Sequence, residues 1–127
     1  RISIFKWPKL FLVIVNLKYI YKIINKEELK KAKSLGKYSG SLKDIQDGYI
    51  HFSAEEQIET SLKKYYSNEE NLVLLKVETL RLEHLIWEQA SDGNMYPHLY
   101  SNLDLKDVIS ENQIPNSDNI SNFLLEK

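Results

Sequence analysis

Gly48-Tyr49-Ile50-His51-Phe52-Ser53, residues 48–53, is the stretch on which the fold turns. Asp47-Gly48 at its start is a strong turn signal, because glycine accepts a positive φ without steric penalty. Tyr49 to Phe52 then read as a short strand. Successive side chains of a strand point to opposite faces, so Ile50 and Phe52 share one face and Tyr49, His51 and Ser53 the other. The apolar pair must face a core. The Tyr49–His51–Ser53 row is polar and can line a cleft, although an ordinary half-exposed strand shows the same alternation.

Working outward, Leu17, Tyr19, Tyr21 and Ile23 alternate with Lys18, Ile20 and Lys22, which is strand periodicity. Asn25 is placed to cap a helix through the N3 backbone N–H, with Glu28 as capping-box partner. Leu29, Ala32 and Leu35 give that helix its apolar face, and Gly36 stops it. Residues 37–48 read as loop. Ser53 is expected to start a second helix, with Glu56 three positions on and Ala54, Ile58, Ser61, Leu62 and Tyr65 on one face. Leu72 to Val77 is a bounded apolar run, hence a buried strand, and Leu85 to Glu88 is a further strand. Asp92-Gly93-Asn94 is a turn, and Leu105 to Ile109 suggests a last strand. Ile120, Phe123 and Leu124 are spaced for one terminal helical turn. The order argues an α+β fold, with two short helices packed on small, mostly antiparallel sheets.

A chain of 127 residues is one domain on size grounds. Hydrophobic residues make up 43%, which excludes disorder by composition. There are no cysteines, so disulfides, zinc-thiolate sites and thiol nucleophiles are excluded. The net charge of −1 excludes a strongly basic nucleic-acid module, and no stable nucleic-acid binding is expected. That charge is unevenly placed. Residues 1–50 hold eleven Lys/Arg against four Asp/Glu, a balance of +7, and residues 51–127 a balance of −8. Arg1, Lys6, Lys9 and Lys18 supply four of the basic residues, so the rest of that half is only +3.

The only methionine is Met95, and Leu10 to Val15 is an apolar run closed by Asn16 and Lys18. Six residues fall far short of the about 20 that a membrane-spanning helix needs. With no small-residue cleavage site following, the run does not read as a signal peptide either. Residues 1–18 are expected to form an N-terminal extension outside the domain, 19–114 a single α+β domain, and 115–127 a polar tail. A cytoplasmic location is the default expectation.

The glycines stand apart at 36, 40, 48 and 93, and the phosphate-loop, GxGxxG, HExxH and GxSxG patterns are all missing. Three histidines remain. His51 belongs to the polar strand face. His98 lies in Met95-Tyr96-Pro97-His98-Leu99-Tyr100, where Pro97 fixes its own φ and holds Tyr96 extended, giving His98 a defined direction. Such a histidine serves as a ligand contact or proton shuttle near neutral pH. His84, in a charged stretch, reads as solvated. Glu88 follows Trp87; half buried against that ring, its carboxyl would have a raised pKa and act as acid or base.

Taken in order, Ile20-Tyr21-Lys22-Ile23, Gly36-Lys37-Tyr38, Asp47 to Ser53 with Gln57, Leu72-Val73-Leu74-Leu75, Trp87-Glu88 and Tyr96 to Tyr100 resemble the small bacterial family called domain of unknown function 952. The resemblance runs from about Tyr19 to about Ile114, and GYIHFS and PHLY are its most specific parts. It implies a fold similar to ADP-ribosyltransferases and RNA 2′-phosphotransferases, which bind NAD-like dinucleotides in a cleft between two small sheets. Lys22 lies near the position of those enzymes' first-strand His or Arg, and Tyr49 or Ser53 near that of their second motif. Their late glutamate has only Glu88 and Glu111 as candidates.

Three functions compete. The first is binding of a nucleotide or NAD-like small molecule, with transferase activity as its enzymatic form. His51, His98 and Glu88 are then the catalytic candidates, and Tyr21, Lys22, Tyr49, Ser53 and Tyr100 the ligand contacts. The second is a metal-assisted hydrolase using His51, His98 and Glu88. The third is a non-catalytic interaction module. The sequence assigns no cofactor and no oligomeric state.

Overall fold

Isoleucines and tyrosines make β1 (Tyr19–Asn25) extended and give it apolar side chains for both faces. The structure is a computed structural model that describes residues 18–115 and 123–124. The expectations placed on residues 1–17, and on all of the tail beyond residue 115 except 123–124, lie outside the described residues. β1 leads into α1 (Lys26–Leu35), where Asn25 accepts a hydrogen bond from the Glu27 N–H at 2.8 Å. The cap bond therefore falls one residue earlier than expected. Gly36 ends α1 in the left-handed conformation.

Residues 37–48, expected as loop, contain β2 (Lys37–Tyr38) and α2 (Leu42–Asp47). Ser41 and Asp44 form a reciprocal capping box: the Asp44 N–H donates to Ser41 Oγ at 3.1 Å and the Ser41 N–H to Asp44 Oδ2 at 2.9 Å. Apolar periodicity misses this helix because Leu42 and Ile45 are exposed and its buried side chain is Asp44.

β3 (Ile50–His51) follows, with Ile50 and Phe52 buried as expected. Ser53 does not start a helix. Its backbone N–H and carbonyl both bond Tyr21, at 2.8 Å each, which ties this stretch to the edge of β1. The helix begins later, through a 3-10 turn at Glu55–Gln57 into α3 (Ile58–Tyr65), and the Ala54 N–H donates to Gln57 Oε1.

β4 (Leu72–Glu78), β5 (Leu85–Gln89), β6 (Met95–Leu99), β7 (Leu103–Asp104) and β8 (Val108–Gln113) complete the described strands. The last strand is displaced from the expected 105–109, because Leu105–Asp107 forms a 3-10 turn capped by Asp104. The sequence reading places no strand at β6, whose Pro97 lacks a ladder donor. Its carbonyl still accepts from the Phe52 N–H at 3.0 Å.

The strands form antiparallel sheets ordered β1-β4-β8, β2-β7 and β3-β6-β5. The fold is α+β, with three short α-helices rather than two within residues 18–115. Alternation along β1 and β4 builds a core on each face of the first sheet. Ile20, Ile24, Val73, Leu75 and Val77 pack with residues of α1 and of the β3-β6-β5 sheet. Tyr21, Ile23, Leu72 and Leu74 pack with Ile58 and Leu62 of α3. Phe123 and Leu124 are helical and pack against that second core; Ile120, expected beside them, lies outside the described residues. Among the described residues no helix is long and apolar enough to cross a membrane.

Candidate functional site

His51 of β3 and His98 of β6 are direct cross-strand partners. The shared register puts both rings on one face, with centroids 5.4 Å apart. Tyr49 stacks on His98 at 4.0 Å with 22° between planes, and also lies 4.7 Å from the His51 ring. Both histidines and Tyr49 line a cavity of about 300 Å³ that also takes in Ser53, Lys22 and Tyr96.

Each histidine is held from behind by a carboxylate. His51 Nδ1 lies 2.6 Å from Asp44 Oδ1, and His51 Nε2 lies 3.0 Å from Asp47 Oδ2. Only the doubly protonated ring donates to both. His98 Nδ1 lies 2.7 Å from Glu88 Oε1, which also accepts from the Tyr100 hydroxyl at 2.7 Å. A proton on Nδ1 leaves His98 Nε2 as the acceptor of the neutral ring. Burial pushes the His98 pKa down, and the nearby His51 adds to that push, against the opposing pull of Glu88. The neutral ring is thus favoured, and Nε2 suits proton acceptance.

Asp44 is the buried centre of the site. Its side chain is 2% exposed. Its carboxylate accepts from Lys22 Nζ at 2.9 Å, the Ser41 N–H at 2.9 Å, the His51 N–H at 3.2 Å and His51 Nδ1. Burial alone would raise its pKa. The bond from His51 and the Lys22 ammonium outweigh it and hold the carboxyl well below the usual range. Burial in turn lowers the Lys22 pKa, and Asp44 opposes it.

The expected residues separate on this geometry. His51, His98, Tyr49, Ser53 and Lys22 line the cavity, with the Ser53 hydroxyl bonded to Ser61 Oγ at 3.0 Å. The Lys22 ammonium is committed to Asp44. Tyr100 stands 5.2 Å from Tyr49 and acts on the site through Glu88. Tyr21 is placed differently: it lies outside the cavity lining and packs with Ile58 and Leu62, because strand alternation turns it away from Lys22. Glu88 also departs from expectation. Hydrogen bonds from His98 and then Tyr100 lower its pKa rather than raising it. Trp87 packs against the core on the opposite strand face, so it is no wall for that carboxylate. His84 is exposed, as read.

Sequence reasoning missed Asp44, Asp47 and Lys43. The Ser41-x-x-Asp44 capping pattern ahead of Gly48 was the available signal. Among the described residues no group of three His, Asp or Glu side chains is placed to hold a metal ion. His51 faces Asp44 and Asp47 while Glu88 serves His98, so the three proposed metal ligands do not converge.

The sequence profile of the family described as "Protein of unknown function (DUF952)" matches residues 23–111. The chain belongs to this family. No curated protein matches it. Among solved structures, it is similar to the crystal structure of protein CC0527 from Caulobacter crescentus, with 37% identity and a TM-score of 0.79 over 84% of this chain and 98% of that one. The solution structure of CC0527 gives 40% identity and a TM-score of 0.70 over 81% and 90%. The matched DUF952 region contains both histidines and their carboxylates.

Proposed function

We propose that this DUF952 protein binds a nucleotide or NAD-like small molecule in the cavity lined by His51 and His98. The observation that carries the reading is the cross-strand histidine pair, each ring backed by a carboxylate and flanked by Tyr49. Concave sites of about 300 Å³ and upward with a few convergent polar groups are the usual form of small-molecule sites. The NAD-like form of the ligand is what the family resemblance in the sequence implies, through its similarity to the ADP-ribosyltransferase fold. His98 Nε2 suits accepting a proton from a ligand hydroxyl, one part of the equipment a transferase needs at its reacting atoms. Lys22 acts through Asp44, by keeping that carboxylate ionised behind His51.

The test is calorimetric titration with NAD, ADP-ribose and AMP, run on the wild type, His51→Ala, His98→Ala and the double variant. Circular dichroism checks that each variant folds. Binding at millimolar or lower ligand is expected, weakened at least roughly tenfold in the folded double variant, the loss of about 1.4 kcal/mol. No binding by the wild type, or equal binding by the double variant, overturns the reading.

A further inference from the structure

Asp47 Oδ2 lies between two nitrogens: His51 Nε2 at 3.0 Å and Lys43 Nζ at 3.1 Å. All three residues line the cavity. This carboxylate differs from Asp44, on the other side of the same imidazole. Asp44 is buried and holds four hydrogen bonds, whereas the Asp47 side chain is 33% exposed and the Lys43 side chain 58%. Asp47 is also the last residue of α2, immediately before the left-handed Gly48. A helix C-terminus carries the negative end of the macrodipole, so a carboxylate there is opposed by its own helix. What holds Asp47 is the pair of donors; the bond from Lys43 is the chief reason its pKa lies below the usual value.

Two donors converging on one oxygen at a cavity rim form a binding geometry for an anionic oxygen of any origin. We propose that Asp47 Oδ2 occupies the subsite of the ligand's phosphate. On binding, a phosphate oxygen enters between His51 Nε2 and Lys43 Nζ, and the Asp47 carboxylate turns out into water. This rests on the nucleotide reading above and adds the position of the phosphate and the residue it displaces. The exchange is favourable in its parts. The phosphate monoester carries more charge than the carboxylate. The released Asp47 is already partly hydrated. Asp44 keeps its hold on His51 Nδ1, so the ring stays in place. The other charged groups lining the cavity, Lys22, Lys64 and Asp92, need not move: Lys22 remains with Asp44, and Asp92 stays bonded to the Tyr96 hydroxyl at 2.7 Å.

The experiment titrates AMP, adenosine and inorganic phosphate into the wild type, Asp47→Asn, Asp47→Ala and Asp92→Asn, following affinity by calorimetry and the His51 ring by NMR. Removing the competing carboxylate should tighten AMP and phosphate binding roughly fivefold, the scale of a partly exposed ion pair, and leave adenosine unchanged. Lys43→Gln in the Asp47→Ala background should reverse the gain. Asp92→Asn removes the same charge from the cavity without touching His51, so an equal gain there shows a general charge effect and overturns the proposal. AMP binding to Asp47→Asn and Asp47→Ala no tighter than to the wild type also overturns it and leaves the nucleotide reading standing. Failure of the wild type and every variant to bind AMP, together with failure of the wild type to bind NAD and ADP-ribose in the earlier titration, overturns both.

Discussion

Asp44 has almost no contact with water, yet it carries a charge, and its partners explain how. Lys22, two backbone N–H groups and His51 surround the carboxylate. Breaking a buried pair by neutralising one side leaves the other charge unpaired, at a cost of about 3–5 kcal/mol. Asp44→Asn is therefore expected to lower the urea-unfolding free energy at pH 7 by about that amount, and a loss under about 1 kcal/mol would contradict the account. The pH dependence has a definite sign. The folded-state pKa of Asp44 lies below its unfolded value of about 3.9. The stabilisation is therefore fully present above that unfolded value and is lost as pH falls through the folded one. Wild-type stability should drop on acidification below about pH 4, and Asp44→Asn should show a shallower drop. At this scale the sequence exposed both histidines, which are rare and chemically distinctive. It did not expose Asp44, because the Ser41-x-x-Asp44 pattern announces a helix cap and not the burial of its carboxylate.

Helix α2 carries Asp44 and Asp47 into the site, and it is the element the sequence reading lost. Its six residues bury no apolar side chain, so a method that looks for an apolar stripe finds nothing. Longer elements with an apolar stripe or a bounded apolar run, such as α1 and β4, are legible for the opposite reason. The seating of α2 depends on Gly40. Gly40 has φ +112°, and a Cβ there would lie 2.8 Å from the Asp44 Cβ. Gly40→Ala should lower stability by about 1–3 kcal/mol, as a non-glycine residue held in a sparsely populated backbone region does. Thermal melting reads the loss, and a shifted His51 ring signal in NMR would show that the strain reaches the site. A melting temperature and His51 signal equal to wild type would show that α2 is seated by other contacts.

For the whole molecule, the β1-β4-β8 sheet is the shared wall of two cores. Leu75 sits on its central strand, fully buried and directly opposite Lys22. Leu75→Ala should cost about 2–5 kcal/mol in denaturant unfolding, the range for a leucine removed from a core that cannot collapse around the gap. A smaller loss would mean that the two cores relax independently. The amino-acid sequence by itself determined the class of fold, strands β1, β3, β4 and β5 and the first helix, the inward direction of Ile50 and Phe52, and the polar row of Tyr49, His51 and Ser53. Those features follow from local periodicity and turn chemistry, which short windows of sequence contain. Only the tertiary structure decided that His51 meets His98, that Lys22 faces Asp44 rather than open space, and that Glu88 lies behind an imidazole with its pKa lowered. Those contacts join residues 10 to 47 positions apart in the chain. They depend on strand register and on burial, and both are properties of the assembled sheets rather than of any one segment.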